Sequence, residues 1–312
     1  MQSNNNMSNQ TLSTHKIADL DVSVLCLGTM TFGKPVERDD AIRIVHWALD
    51  HGINFIDTAD MYEGYDRYLG SPGGVAETFV GEALMDRRQK AIVTTKVGNP
   101  IGGREYEGKG LSRPHILHQI DASLARLQTD YVDFYELHRP DPDTPLVESI
   151  SVMAKLIEAG KVRHWGVSNF SGQQITNIVR LCNTHSWPRP VISQPPLSWL
   201  KRDEQTDSLP VCCEFNMAVT PYQPLQGGLL TGKYRRDQAL PVSSRAEESE
   251  WLNQPDDSMY DRLEQFDLEA EQVNLKPTQY ALRWLLDQPG VTSVVVGVKR
   301  IDQVNELLDA YL

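Results

Sequence analysis

Apolar positions along this chain follow two alternating rhythms. Nearly unbroken apolar runs at 24–30, 53–56, 92–95, 132–137, 162–167, 191–193, 218–221 and 293–296 have the length of buried strands. Between them, apolar residues return every three or four positions, which predicts helices over 39–50, 76–85, 112–127, 146–158, 173–182, 204–215 (the weakest), 277–289 and 301–312. Gly52 and Gly160 stop two of these helices, and Ser112 and Pro277 open two others. Apolar strands separated by amphipathic helices are the pattern of a parallel sheet covered by helices. About eight such units in 312 residues, with no break in composition, fit a single α/β domain, a closed (β/α)8 TIM barrel. An open doubly wound sheet is the competitor, but a Gly-x-Gly-x-x-Gly turn after the first strand is absent.

Residues 15–24 alternate apolar and polar around 19–21, which predicts an N-terminal hairpin. Residues 1–12, rich in Asn and Ser, are expected to be a disordered tail, leaving 13–312 for the barrel. Three connections are long, 63–74, 98–113 and 233–260, and each follows a strand end. That is the face on which barrel enzymes carry their chemistry.

Composition narrows the function classes. No run approaches the roughly 18 apolar residues of a membrane span, and the N-terminus lacks the basic start and apolar centre of a secretory signal. An excess of 42 acidic over 30 basic residues, net charge −12, argues against nucleic acid or an anionic membrane as the main partner. Cys26, Cys182, Cys212 and Cys213 have neither metal-ligand nor disulfide-framework spacing, which fits a reducing cytoplasm. No histidine spacing suggests a metal site, and no heptad suggests an oligomer, so monomer and homo-oligomer are both left open.

Chemistry is concentrated where strands end. The run containing Phe55 and Ile56 releases Asp57 and then Tyr62; the next ends at Lys96; the next at His138. A tyrosine, with an ordinary pKa of about 10, donates a proton near neutrality only if a cation stabilises its phenolate. Lys96 is the expected cation, Asp57 its partner, and His138 a group that orients a substrate oxygen or shares the proton transfer. A purely structural Asp57–Lys96 ion pair is the plainer alternative.

These residues sit in motifs that resemble the aldo-keto reductase family: GINFIDTADMY, the Ile-Val-Thr-Thr-Lys-Val run, Glu136-Leu-His-Arg-Pro-Asp, Gly160-Lys-Val-Arg-His-Trp-Gly-Val-Ser-Asn-Phe and Leu229-Leu-Thr-Gly-Lys-Tyr. The resemblance runs in register from about Leu25 to Leu308, and the family's tetrad falls on Asp57, Tyr62, Lys96 and His138. It implies a nicotinamide cofactor, usually NADPH, extended across the barrel mouth, and a small-molecule carbonyl substrate. It further implies that Ser168, Asn169 and Gln194 hold the carboxamide and that Tyr222 stacks on the nicotinamide ring. Gly28, Thr29 and Met30 fall in the cofactor site by the same resemblance, as do Gln223 and Pro224. Leu225, Gly227, Leu229, Gly232 and Lys233 match the pyrophosphate loop; Gly297, Lys299, Gln303 and Glu306 match the adenosine segment. Lys299 and Arg300 together would suit a 2′-phosphate and favour NADPH over NADH.

The chain also departs from that pattern. Leu307 stands where the family often has Asn, Pro195-Pro196 replaces a polar-aromatic pair, and the linker after Tyr62 is longer and more aromatic than usual. A long C-terminal loop over the substrate is not expected, so specificity is expected from the 63–74, 98–113 and 233–260 segments with Met30 and Trp199. Channel β-subunits resemble this core too, so a nicotinamide-loaded sensor or accessory subunit with little turnover is the alternative to a carbonyl reductase.

Overall fold

The computed structural model describes residues 12–102, 108–242, 244–248, 252 and 254–309. The hairpin strands β1 (Thr14–Ile17) and β2 (Leu20–Ser23) pair antiparallel around a turn in which Ala18 takes a left-handed conformation. Leu12 is already buried in the core, although the sequence places it in the tail; residues 1–11 lie outside the described residues.

Eight parallel strands follow, with helices between them: β3 (Leu25–Gly28), α1 (Arg38–Asp50), β4 (Phe55–Asp57), α2 (Val75–Leu84), β5 (Ile92–Val97), α3 (Arg113–Leu127) and β6 (Val132–Leu137). The series continues with α4 (Leu146–Glu158), β7 (Val162–Ser168), α5 (Gly172–His185), β8 (Ile192–Gln194), α6 (Ser208–Glu214) and β9 (Ala218–Val219). It ends with α7 (Arg245–Glu248), α8 (Asp257–Gln272), α9 (Pro277–Leu286), β10 (Val294–Gly297) and α10 (Ile301–Asp309). The strand order is β10-β3-β4-β5-β6-β7-β8-β9. Val219 closes the ring by pairing with Val291, and the Val295 amide donates to the Pro221 carbonyl at 3.0 Å. The expected barrel is therefore present.

Two elements differ from the sequence reading. The expected helix over 204–215 is a single 3-10 turn, Asp203–Gln205, followed by the short α6. Helix α8 is absent from the sequence reading because only Leu263, Phe266 and Ala270 of its sixteen residues are buried, in an acidic run too sparse to display a stripe. Its local signal was Asp256, whose side chain caps the helix by accepting from the Met259 amide at 2.8 Å. The long connection after Lys233 thus contains α7 and gives way to helix at Asp257.

Strand alternation sorts the side chains. Cys26, Phe55, Phe134, Ile192 and Val295 share an apolar cluster with the hairpin residues Ile17 and Val22, which plug the N-terminal end of the barrel. Moving two residues along each strand keeps the same inward face. That step reaches Gly28 on β3, Asp57 on β4, Glu136 on β6 and Gln194 on β8, with Lys96 in register with Glu136. The inside of the barrel is dry at one end and polar at the other. Asp57 and Lys96, two of the residues selected from the sequence, lie at the polar end.

Candidate active site

Lys96 is fully buried, and its ammonium is held from three sides. Nζ lies 2.7 and 2.8 Å from the two Asp57 carboxylate oxygens, donates to the Thr58 carbonyl at 2.8 Å, and reaches the Tyr62 hydroxyl at 3.3 Å. Burial alone would depress the lysine, but Asp57, Tyr62 and Glu136 outweigh it and raise the pKa above its ordinary range. A buried charge of this kind persists only when partnered so closely. Gln194 completes the arrangement from β8, its Nε2 donating to Asp57 Oδ1 at 2.8 Å.

Tyr62 follows β4 across a short turn, where its amide donates to the Ala59 carbonyl at 3.1 Å. The lysine was expected to make this phenol more acidic. Lys96 does pull that way, but burial is the larger effect and pushes Tyr62 up to about 12, so the hydroxyl is protonated. His138 stands edge-on to the tyrosine, with ring centroids 6.0 Å apart. Burial, with Lys96, Arg67 and Arg139 nearby, holds its pKa well below the ordinary value, so the ring is neutral. Its Nδ1 has no hydrogen-bond partner among the described residues.

These groups face a cavity of about 1040 Å³ at the C-terminal end of the barrel. Asp57, Tyr62 and His138 line it, and Lys96 lies beneath. Gly28, Met30, Ser168, Asn169, Gln194 and Tyr222 form one wall. Their polar groups are already interlocked: Tyr222 donates to Asn169 Oδ1 at 2.7 Å, Asn169 to the His138 carbonyl at 2.9 Å, and Ser168 to the Gln194 carbonyl at 2.8 Å. Gln223, Pro224, Leu225, Gly227 and Lys233 line a second wall. Gly297, Lys299, Arg300 and Gln303 line a third.

Other sequence-selected residues lie off the cavity wall. Thr29 is buried and donates through Oγ1 to the Asp57 carbonyl at 2.9 Å, tying the ends of β3 and β4 together. Leu229 belongs to a separate apolar cluster, and neither Gly232 nor the exposed Glu306 is among the lining residues. Leu307, where the family pattern often has Asn, is a core residue of α10. Trp199 was expected to contribute to specificity, but it is buried beneath α8, edge-on to Phe266 at 5.3 Å and donating to Glu269 at 2.8 Å.

The structure adds cavity residues that sequence spacing did not reveal. Tyr65, from the connection between β4 and α2, meets Arg245 of α7, whose Nη2 donates to the phenolic oxygen at 2.6 Å. The Lys299 Nζ lies 5.3 Å from the same ring centre. Burial lowers the pKa of Lys233, and Lys299 and Arg245 lower it further, so three cations converge on one end of the cavity. Gly228 is needed there for its left-handed φ of 98°, and the end of the Lys233 side chain packs against it. Arg300, by contrast, is engaged by the Asp302 carboxylate at 2.9 Å.

Comparison with known proteins agrees with this architecture. Residues 24–312 match the model of the Aldo/keto reductase family. A probable voltage-gated potassium channel subunit beta of Arabidopsis thaliana is 33% identical, covering 93% of this chain and 88% of that protein. An uncharacterised oxidoreductase of Bacillus subtilis is 32% identical over the same shares. Among solved structures, a glycerol dehydrogenase of Gluconobacter oxydans superposes with a TM-score of 0.80 at 31% identity, covering 96% of this chain and 90% of that one. An aldo-keto reductase of Bacillus halodurans in its holo form gives 0.77 at 30%, with the same coverage. With a family match over nearly the whole sequence and the same barrel in its solved relatives, this chain belongs to the aldo-keto reductase family of oxidoreductases.

Proposed function

We propose that this protein reduces an aldehyde or ketone to an alcohol with NADPH, using Tyr62 as the general acid. The observation that carries the reading is the buried ammonium of Lys96 between the Asp57 carboxylate and the Tyr62 hydroxyl, at the floor of a cavity open to a small molecule. The remaining cavity fits a dinucleotide. The whole cavity is about 1040 Å³, Lys233, Arg245 and Lys299 converge at one end of it, and the buried Gln226 Nε2 on its wall has no partner among the described residues. Tyr222 would flank the nicotinamide, Ser168 and Asn169 its carboxamide, and the three cations the phosphates. When bound, NADPH supplies the hydride.

The residues of the chain supply the proton and the field. Tyr62, protonated at neutral pH, gives its hydroxyl proton to the substrate oxygen as negative charge develops there. Lys96, kept charged by Asp57, stabilises the phenolate that remains. Neutral His138 offers a ring N–H to the same oxygen, and shielding from water makes each interaction stronger. In turnover of a panel of aldehydes, dicarbonyls, ketones and sugars, Tyr62→Phe is expected to reduce kcat by roughly 10²–10⁴-fold while leaving NADPH affinity within about twofold. Normal turnover in that variant would overturn the assignment.

A second reading, a nicotinamide-loaded sensor or accessory subunit, is favoured by the relatives named as potassium channel β-subunits. It predicts tight NADPH binding with negligible turnover across the panel.

A further inference from the structure

The polar layer of the barrel contains a second carboxyl that the tetrad does not use. Glu136, two residues before His138 on β6, is in register with Lys96 on one side and Gly166 on the other. Its side chain is completely buried. Oε1 receives one long hydrogen bond, 3.3 Å, from Thr94 Oγ1, and Oε2 has no partner among the described residues. Asp57, by comparison, takes two close contacts from Lys96 and one from Gln194. A single buried lysine therefore stands near two carboxyls and satisfies only one of them directly.

The groups facing Glu136 can be named strand by strand. β3 contributes the Cys26 thiol, which burial pushes well above its ordinary value; β4 contributes Asp57, with Tyr62 just beyond it. β5 contributes Thr94 and Lys96, and β7 presents Gly166, which has no side chain. Burial raises the Glu136 pKa to about 8, Lys96 opposes that rise, and Asp57 adds to it. The influence runs back as well: an ionised Glu136 makes Tyr62 a weaker acid and Lys96 a weaker one too.

We infer that Glu136 is a positioning residue that sets the alkaline limit of proton donation by Tyr62: protonated, it leaves the Lys96 field to Asp57 and the phenol, and ionised, it draws that field into the barrel. The inference rests on the reading of Tyr62 as the proton donor. No proton passes from Glu136 to substrate; it acts by its charge alone, on the phenol directly and on Lys96 beside it.

Two measurements decide it, one of them independent of turnover. Fluorotyrosine at position 62 of the full-length chain, followed by fluorine NMR, is expected to show an inflection near pH 8 with Glu136 present. The inflection should vanish in Glu136→Gln, and in Glu136→Met should the amide perturb folding. An inflection that persists in both variants, or its absence from the parent, overturns the inference whether or not the protein reduces anything. In the kinetic arm, kcat for carbonyl reduction should step down by roughly three- to tenfold as pH rises through about 8, with KM for NADPH unmoved. Glu136→Gln should abolish the step, and an unchanged step in that variant overturns the inference. Wild-type protein that turns over no carbonyl would count against the proposed function, and the NMR result would still decide the coupling.

Discussion

Glu136 also makes a prediction about stability that needs no substrate. Its folded pKa is about 8 against an ordinary 4.5, with burial as the leading cause, so between those values the native chain holds a proton that the unfolded chain has released. Stability then falls as pH rises, by about 1.4 kcal/mol per pH unit. The loss accumulates to about 5 kcal/mol above pH 8, comparable with much of the net stability of a typical domain. Glu136→Gln keeps the shape and removes the titration, so its unfolding free energy relative to wild type should grow steadily from about pH 5 to about pH 8 and then level off. Urea unfolding followed by tryptophan fluorescence at several pH values gives that difference, in which distant titrating groups cancel. A difference that stays constant with pH would refute the reasoning. It would mean that the carboxyl ionises normally in the native state and that the barrel interior beside β6 is not dry.

Two further outcomes test the cofactor end and the packing. Arg300 is held by Asp302, and Lys299 lies with Arg245 against Tyr65, the pair acting on the Lys233 ammonium; Lys299→Met should weaken NADPH binding about tenfold or more and NADH binding much less. Arg300→Met should change either by less than about threefold, as read by fluorescence titration. Gly81→Ala should destabilise the fold, since a Cβ on α2 would lie 2.3 Å from the Arg126 carbonyl oxygen. Overpacking of about 1–3 kcal/mol exceeds the gain of about 1 kcal/mol in helix propensity, so a Tm lower by several degrees is expected, and an unchanged Tm would refute the close approach.

The layer of ionisable groups at the barrel mouth was legible because a strand end is a sequence feature. Asp57, Lys96 and His138 each terminate an apolar run, and the parallel direction and register of the strands bring such ends to one face. Glu136 was equally visible as a letter, yet nothing in its neighbours announced a buried, half-satisfied carboxyl. Trp199 illustrates the opposite error. It follows the polar segment after β8 and invited a place on the cavity wall, but α8, too acidic to be read as a core helix, covers it.

The sequence by itself determined what depends on local periodicity: the alternation of strand and helix, hence the barrel, and the identity of the four groups at its mouth. Tertiary structure alone decided what depends on burial and on pairs distant in sequence. Tyr65 meets Arg245 across 180 positions, and Gln194 grips Asp57 across 137. The acidity of Tyr62 reverses the simplest expectation because desolvation, a property of everything packed around a group, outweighs the one cation that spacing could identify.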